Sequence, residues 1–297
     1  MAPGRDVMPS DKTPLVETYR SAVAAWECDV MGHLTIAYYA DRFVDAGLSL
    51  IESLAPATAP PASLWRSAAL LVRYQRELRA GDGLFIRSGV VGEEGEAIRL
   101  GHELVDAGSG EVASLVEHVL TPRDLPYGAF AEQRRVLLAA ATGWSGPGFD
   151  AIAPPAHPER MIDSGRDRVK AWEVDERGEL PLSGYVHRFA HACLHVCSAF
   201  GMTPDYMRRE KRGFSTFETR LHLLAPPPGA GEGVVVRSGL MSAGNASLRL
   251  LHELRRAGSG ERLALMHQAG VHFDMEARRS APLPESLRAA ARRLLMA

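Results

Sequence analysis

Apolar residues recur at steps of three and four after Thr35. Tyr39, Phe43, Ala46, Leu50 and Leu54 form a stripe of helical period. Thr35 is a good N-cap residue, and three prolines between 55 and 61 end the run. Before this helix, Tyr19 to Trp26 reads as a strand. After it come four strand-like runs, at 66–79, 83–92, 97–107 and 111–122. Gly81-Asp82-Gly83, Gly92 to Gly95 and Gly108-Ser109-Gly110 separate them as hairpin connections. A short helix is predicted at 129–141. The Gly- and Pro-rich segment 142–166 reads as a linker.

The order then repeats. A strand is predicted near 168–174, a helix at 182–200, strands near 214–225, 233–242, 246–257 and 261–273, and a closing helix at 285–296. One strand, one long helix and an antiparallel meander make a unit of α+β type, with a curved sheet wrapped around the helix. Residues repeat along with the pattern. Trp26-Glu27-Cys28-Asp29-Val30-Met31-Gly32-His33 returns as Trp172-Glu173-Val174-Asp175-Glu176-Arg177-Gly178-Glu179, 146 residues later. Tyr39, Arg42, Phe43 and Ala46 return at the same offset as Tyr185, Arg188, Phe189 and Ala192. Arg87-Ser88-Gly89, His102-Glu103-Leu104 and Ala107 to Glu111 return 150 residues on, as Arg237-Ser238-Gly239, His252-Glu253-Leu254 and Ala257 to Glu261. Two copies of this length are a duplicated domain rather than a solenoid. A single-chain pseudo-dimer follows, with its pseudo-twofold axis between the halves. The expected division is 15–141, a linker at 142–166, and 167–297.

Composition narrows the function only by exclusion. The chain has 297 residues, 46% hydrophobic and 24% charged, with a formal net charge of −2. That balance offers no reason to expect nucleic acid or an anionic membrane as partner. Cys28, Cys193 and Cys197 fit neither a metal site nor a disulfide framework, and the last two are expected as core thiols on a helix. Met1 to Pro14 is polar, reads as a loose arm, and carries no apolar run of the signal-peptide kind. No stretch approaches the roughly 20 apolar residues needed to span a bilayer. The expectation is a cytoplasmic enzyme or binding protein.

Asp29-x-x-Gly32-His33 followed after five residues by Tyr39, placed between a strand and a long apolar helix, resembles the motif of hotdog-fold acyl-CoA thioesterases, and of the 4-hydroxybenzoyl-CoA thioesterase type in particular. The resemblance runs over about 17–125 and 166–276, so it implies a double hotdog. Each antiparallel sheet would wrap around its long helix. The two sheets would meet edge to edge, with both helices on the same side. The chain departs from the family at Thr35, where many relatives carry Asn, and at Met31, where a branch acting on betainyl-CoA carries Asn. These departures bear on the substrate. The implied activity is hydrolysis of an acyl-CoA thioester, with no cofactor and no metal. A homodimer of the double chain is a candidate assembly.

The chemistry of the motif fits that activity. Thioester hydrolysis needs a nucleophile or an activated water, and a donor for the oxyanion. A helix N-terminus presents free N–H groups at the positive end of its dipole. Carried over by position, the resemblance implies Asp29 as general base or nucleophile and the Ile36 N–H as oxyanion donor. Gly32 permits a tight turn and close approach of the thioester. His33 either bonds Asp29 or lines the pocket, with Thr35 and Tyr39 as further pocket candidates. Asp175 and Leu182 are the matching residues of a second site. There Glu179 replaces His33 and Pro181 replaces Thr35, so a second carboxylate stands where an anionic thioester must enter and one backbone donor is lost. The first site is expected to be the working one.

Other polar residues have structural readings. Trp26 and Trp172 are expected in the core. His102 and His252, each followed by Glu, suggest a buried hydrogen bond or a pseudo-dimer contact retained in both copies. Asp41 and Asp45 on the first helix are second-choice carboxylates. His187, His191 and His195 make an i, i+4 stripe without a set of acidic partners, and metal is not expected there. Arg208-Arg209 and Lys211-Arg212 read as either a phosphate-binding patch or a solvated loop. Two other functions remain open. One is a non-catalytic binder of acyl thioesters. The other is a hotdog hydratase or dehydratase, against which the absence of an Asp-x-Asn-Pro-x-His motif counts.

Overall fold

The computed structural model describes residues 13–29, 31–56, 58–123, 128–147 and 154–296, so most of the expected N-terminal arm and the middle of the expected linker lie outside the described residues. The first half runs β1 (Val16–Ala22), α1 (Ile36–Leu54), β2 (Trp65–Tyr74), β3 (Gly83–Glu94), β4 (Ala97–Asp106), β5 (Val112–Pro122) and α2 (Gly128–Ala139). The second half runs β6 (Ile162–Arg168), α3 (Leu182–Ala199), α4 (Pro204–Glu210), β7 (Arg212–Leu223), β8 (Gly233–Ala243), β9 (Ser247–Arg256), β10 (Arg262–Asp274), β11 (Arg279–Ser280) and α5 (Glu285–Arg293).

Ten strands form one antiparallel sheet in the order β1-β3-β4-β5-β2-β7-β10-β9-β8-β6, and β11 pairs with β10. The order reads the same from both ends because the chain is duplicated. The halves meet where β2 pairs with β7, from Ala69 opposite His222 to Arg73 opposite Glu218. Each half alone would present that strand as an unpaired edge, and pairing covers both edges at once. This is the double hotdog. Across the seam, the buried Glu218 carboxylate accepts from Arg73 of the other half at 2.8 Å and from Arg220 at 2.7 Å.

The apolar stripe of α1 faces the first half's sheet. Tyr39, Phe43 and Ala46 are buried with Leu84, Ile86, Leu104 and Val116. The matching residues of α3, Tyr185, Phe189 and Ala192, are buried with Val234, Val236, Leu254 and Met266. Both sets belong to one continuous core, and α1 and α3 pack against each other, with the Tyr38 and His187 rings edge to face at 5.2 Å. Phe43 is fully buried, a placement worth roughly 1.5–3 kcal/mol for a side chain of this size. Cys193 and Cys197 are buried, as expected.

Several expectations need correction. Trp26 and Trp172 are not in the core; they are 81% and 82% exposed. The cause lies in their neighbours. Residues Ala25–Glu27 wind into a 3-10 turn, which also ends β1 at Ala22 instead of carrying it on to Trp26. Glu27 points inward, accepts the Ala24 N–H at 2.7 Å and binds the buried Arg42 at 2.8 Å, so the adjacent Trp26 turns outward. Glu173 does the same with Lys170 N–H and Arg188. The repeated Glu and buried Arg are therefore an ionic clamp joining the motif to its helix. The strand expected near 168–174 lies at Ile162–Arg168 instead, because the repeated strand precedes the clamp in both halves. The run 66–79 leaves the sheet after Tyr74, where the Gln75 and Arg76 N–H groups both turn to the Ala113 carbonyl. Helix α4 was not anticipated. Thr35 occupies the N-cap position of α1, but its side chain makes no capping hydrogen bond.

Candidate active site

The motif forms a closed turn. The Asp29 N–H donates to His33 O at 2.8 Å and the Gly32 N–H to Asp29 O at 3.0 Å. Asp29 Oδ1 accepts from the N–H groups of Met31 at 2.8 Å and His33 at 3.1 Å. Gly32 has φ +76°, a left-handed conformation that a side chain disfavours. Asp29 is exposed, and its Oδ2 has no protein partner among the described residues. From this turn the chain enters α1, whose first residues Ile36 and Ala37 precede the point where the helix supplies acceptors for its own N–H groups. Thr35 Oγ1 is buried beside them without a hydrogen-bond partner among the described residues.

The turn opens onto a cleft of about 1090 Å³ between the two halves. Asp29, His33, Thr35, Ile36 and Tyr39 line one wall. His187, His191 and Leu194 of α3, Gly213 to Phe217 of β7 and Phe273 of β10 line the other. Tyr39 is buried and meets Tyr74 edge to face at 5.1 Å; burial pushes its hydroxyl pKa up, so it stays a neutral wall residue. Burial, and then His191, holds the His187 pKa below its usual value. No group of three metal-ligating side chains occurs among the described residues, His187, His191 and His195 included.

His33 meets the Asp29 carboxylate only through its backbone N–H, not through its ring. Its buried ring points to the loop after β2, with Nε2 3.3 Å from Glu77 Oε2 and 3.2 Å from an Arg278 nitrogen, and Arg278 also pairs with Glu77. Glu77 and Arg278 were not found by sequence reading. They lie 201 residues apart on irregular segments, and no motif marks either one.

The second turn has the same backbone. Asp175 Oδ1 accepts from Arg177 N–H at 2.9 Å and Glu179 N–H at 3.0 Å, and Gly178 has φ +77°. Its surroundings differ. Glu179 pairs with Arg123, so the carboxylate expected to repel an anionic ligand is instead neutralised. Asp41 of α1 accepts a hydrogen bond from Ser183, beside Leu182 at the start of α3. Asp175 and Leu182 do not line the cleft at the Asp29 turn. Asp41 and Asp45 are likewise absent from the cleft lining. His102 and His252 are buried and bond Ser88 and Ser238, each at 2.7 Å, which is the structural pairing expected of them.

A family model described as the thioesterase-like superfamily matches residues 23–141 and 169–291, once in each half. The chain belongs to the thioesterase-like superfamily. Within it, the chain is 32% identical to a betainyl-CoA thioesterase of Pseudomonas aeruginosa over 110 residues, which are 37% of this chain and 68% of that protein. Solved structures of full length share the fold at low identity. An acyl-ACP thioesterase from Bacteroides thetaiotaomicron superposes with a TM-score of 0.63 at 10% identity, over 86% of this chain and 96% of that one. The 12:0-ACP thioesterase from Umbellularia californica superposes with a TM-score of 0.61 at 12% identity, over 86% and 93%.

Proposed function

We propose that this chain is an acyl-CoA thioesterase of the 4-hydroxybenzoyl-CoA type, working in the cleft at the Asp29 turn. Family membership supports thioester hydrolysis as the reaction class. The observation that carries the assignment to this cleft is its composition. One open cavity between the halves holds an exposed carboxylate, the start of a long helix and an apolar wall. The thioester carbonyl oxygen would face the Ile36 N–H, where the positive end of α1 receives the developing charge. Asp29 would take a proton from water as that water attacks the carbonyl carbon, or attack the carbon itself. The C–S bond then breaks and the thiol carrier leaves with a proton; in the first route the acyl group leaves directly as its carboxylate, and in the second it remains on Asp29 as a mixed anhydride until a water hydrolyses it and frees both carboxylates.

One observation favours a second reading, a binder without turnover. Asp29 and Asp175 make the same two turn hydrogen bonds, so the turn alone accounts for an Asp at both places. Thiol release from a panel of acyl-CoAs separates the readings. Turnover that survives in folded wild type and collapses in Asp29→Asn supports the enzyme; binding with no thiol release from any member supports the binder.

A further inference from the structure

One rim of the cleft is strongly basic. Its lining contains the cations Arg76, Arg208, Lys211, Arg212 and Arg278 against the carboxylates Asp29 and Glu77 alone. Four of these cations have partners. Arg76 pairs with Asp106 and Glu111, Arg212 with Asp274, Arg278 with Glu77, and Arg208 with Asp205 in a pair that is open to solvent. Lys211 is exposed and has no anionic partner among the described residues. Its backbone adds a second observation. Lys211 closes α4 in the left-handed region, at φ +51° and ψ +47°, where glycine or asparagine is the usual residue. A lysine is thus kept at a place whose backbone disfavours it, and a backbone outlier of this kind is a reasonable starting point for a functional hypothesis. The residue is also well anchored. Its carbonyl accepts the Met275 N–H at 3.0 Å, which ties it to the turn that carries Arg278, and Arg212 ties the same turn through Asp274 at 3.0 Å. Helix α4, which places Lys211, has no helical counterpart in the first half, where the corresponding stretch is a short 3-10 turn, Ala62–Leu64.

We infer that Lys211, with Arg208 and Arg278 beside it, binds the phosphate of the thioester carrier at the cleft mouth. This rests on the reading of the cleft as a thioester site and names the part of it that holds the carrier. A lysine acts on phosphate as a mobile point charge, suited to an exposed rim. Substrate phosphate and Glu77 compete for Arg278, so an incoming carrier draws Arg278 away from Glu77 and His33. Two sources carry the phosphate: the nucleotide end of CoA, and the phosphopantetheine arm common to CoA and carrier proteins.

The test needs no chemistry. Binding of free CoA, 4′-phosphopantetheine and pantetheine to the full chain is measured by calorimetry at low and high salt, for wild type, Lys211→Gly and Lys211→Glu. Glycine suits the left-handed backbone, so Lys211→Gly should fold at least as well as wild type. CoA affinity should fall about tenfold in Lys211→Gly and further in Lys211→Glu, with a shallower salt dependence, while pantetheine binding is unchanged. Loss with CoA alone places Lys211 at the nucleotide phosphates; loss with 4′-phosphopantetheine as well places it at the shared phosphate. Equal losses for pantetheine, unchanged CoA binding in both variants, or no CoA binding by wild type overturns the inference. Lys211-dependent CoA binding in a protein that releases no thiol would leave the inference standing and sink the hydrolytic reading instead.

Discussion

The Asp29 and Asp175 turns are the same piece of backbone in two settings. Both carry an Asp bonded to the same two N–H positions, a left-handed glycine and a long helix immediately after. Four of the differing equivalent positions shape the surroundings of the turns. His33 corresponds to Glu179, Thr35 to Pro181, His187 across the seam to Asp41, and Phe273 to Arg123. At the first turn His33, Thr35, His187 and Phe273 line a cleft. At the second, Arg123 pairs with Glu179 and Asp41 with Ser183, so polar side chains satisfy one another beside the turn. A duplicated site can thus keep its backbone while side chains arriving from the other half change its surroundings.

The greatest expected effect is on turnover. Asp29→Asn should lower kcat by about 10²–10⁴, the usual worth of a positioned base, and Asp175→Asn should leave it within a few-fold. Steady-state thiol release with folding checked by circular dichroism reads both. Equal losses would mean two working sites, and a larger loss in Asp175→Asn would reverse the assignment.

Acid stability should also separate the halves. His118 of the first half is fully buried, with its pKa pushed down to about 3, and Gln268 stands at its place in the second. Burial likewise lowers His102 in the first half, and His252 in the second to about 4. The folded state keeps these rings neutral while the unfolded chain takes up protons below pH about 6.5, so stability is full above that pH and is lost as pH falls toward 3. Each ring contributes a slope of about 1.4 kcal/mol per pH unit in its window. His118→Gln should remove one proton's worth of slope between pH 6 and 4 in urea unfolding. An unchanged slope would show that His118 does not resist protonation in the fold.

A smaller effect is expected at the second turn. Arg123→Ala removes a partly exposed ion pair and should cost about 1 kcal/mol or less. It should not restore thiol release when combined with Asp29→Asn, because Pro181 and Asp41 remain. Recovery of activity in the double variant would show that Arg123 alone shuts the second site. The smallest effect belongs to the exposed tryptophans. Trp26→Ala and Trp172→Ala should each change stability by no more than about 0.5 kcal/mol, as surface substitutions do. A loss of several kcal/mol in either would mean that its ring is covered in solution.

The duplication, the two long helices and the Asp-x-x-Gly turns were legible in the chain, because each depends on spacing within a short stretch. The stripe Tyr39, Phe43, Ala46, Leu50 has one helical face whatever surrounds it. Trp26 was misread for the opposite reason. Its hydrophobicity argued for burial, but the 3-10 turn gives the inward direction to Glu27, which binds Arg42 fifteen residues away. Tertiary structure alone decided what surrounds each Asp turn. The walls of that cleft come from α3, β7 and the turn after β10, brought to the Asp29 turn by the β2–β7 seam. The partners beside the second turn arrive the same way, Arg123 from the end of β5 and Asp41 from α1. Backbone hydrogen bonds within a turn are local and recur with the sequence. The side chains that fill or spare the space beside it are set by pairing across the pseudo-twofold axis, which no spacing along one half encodes.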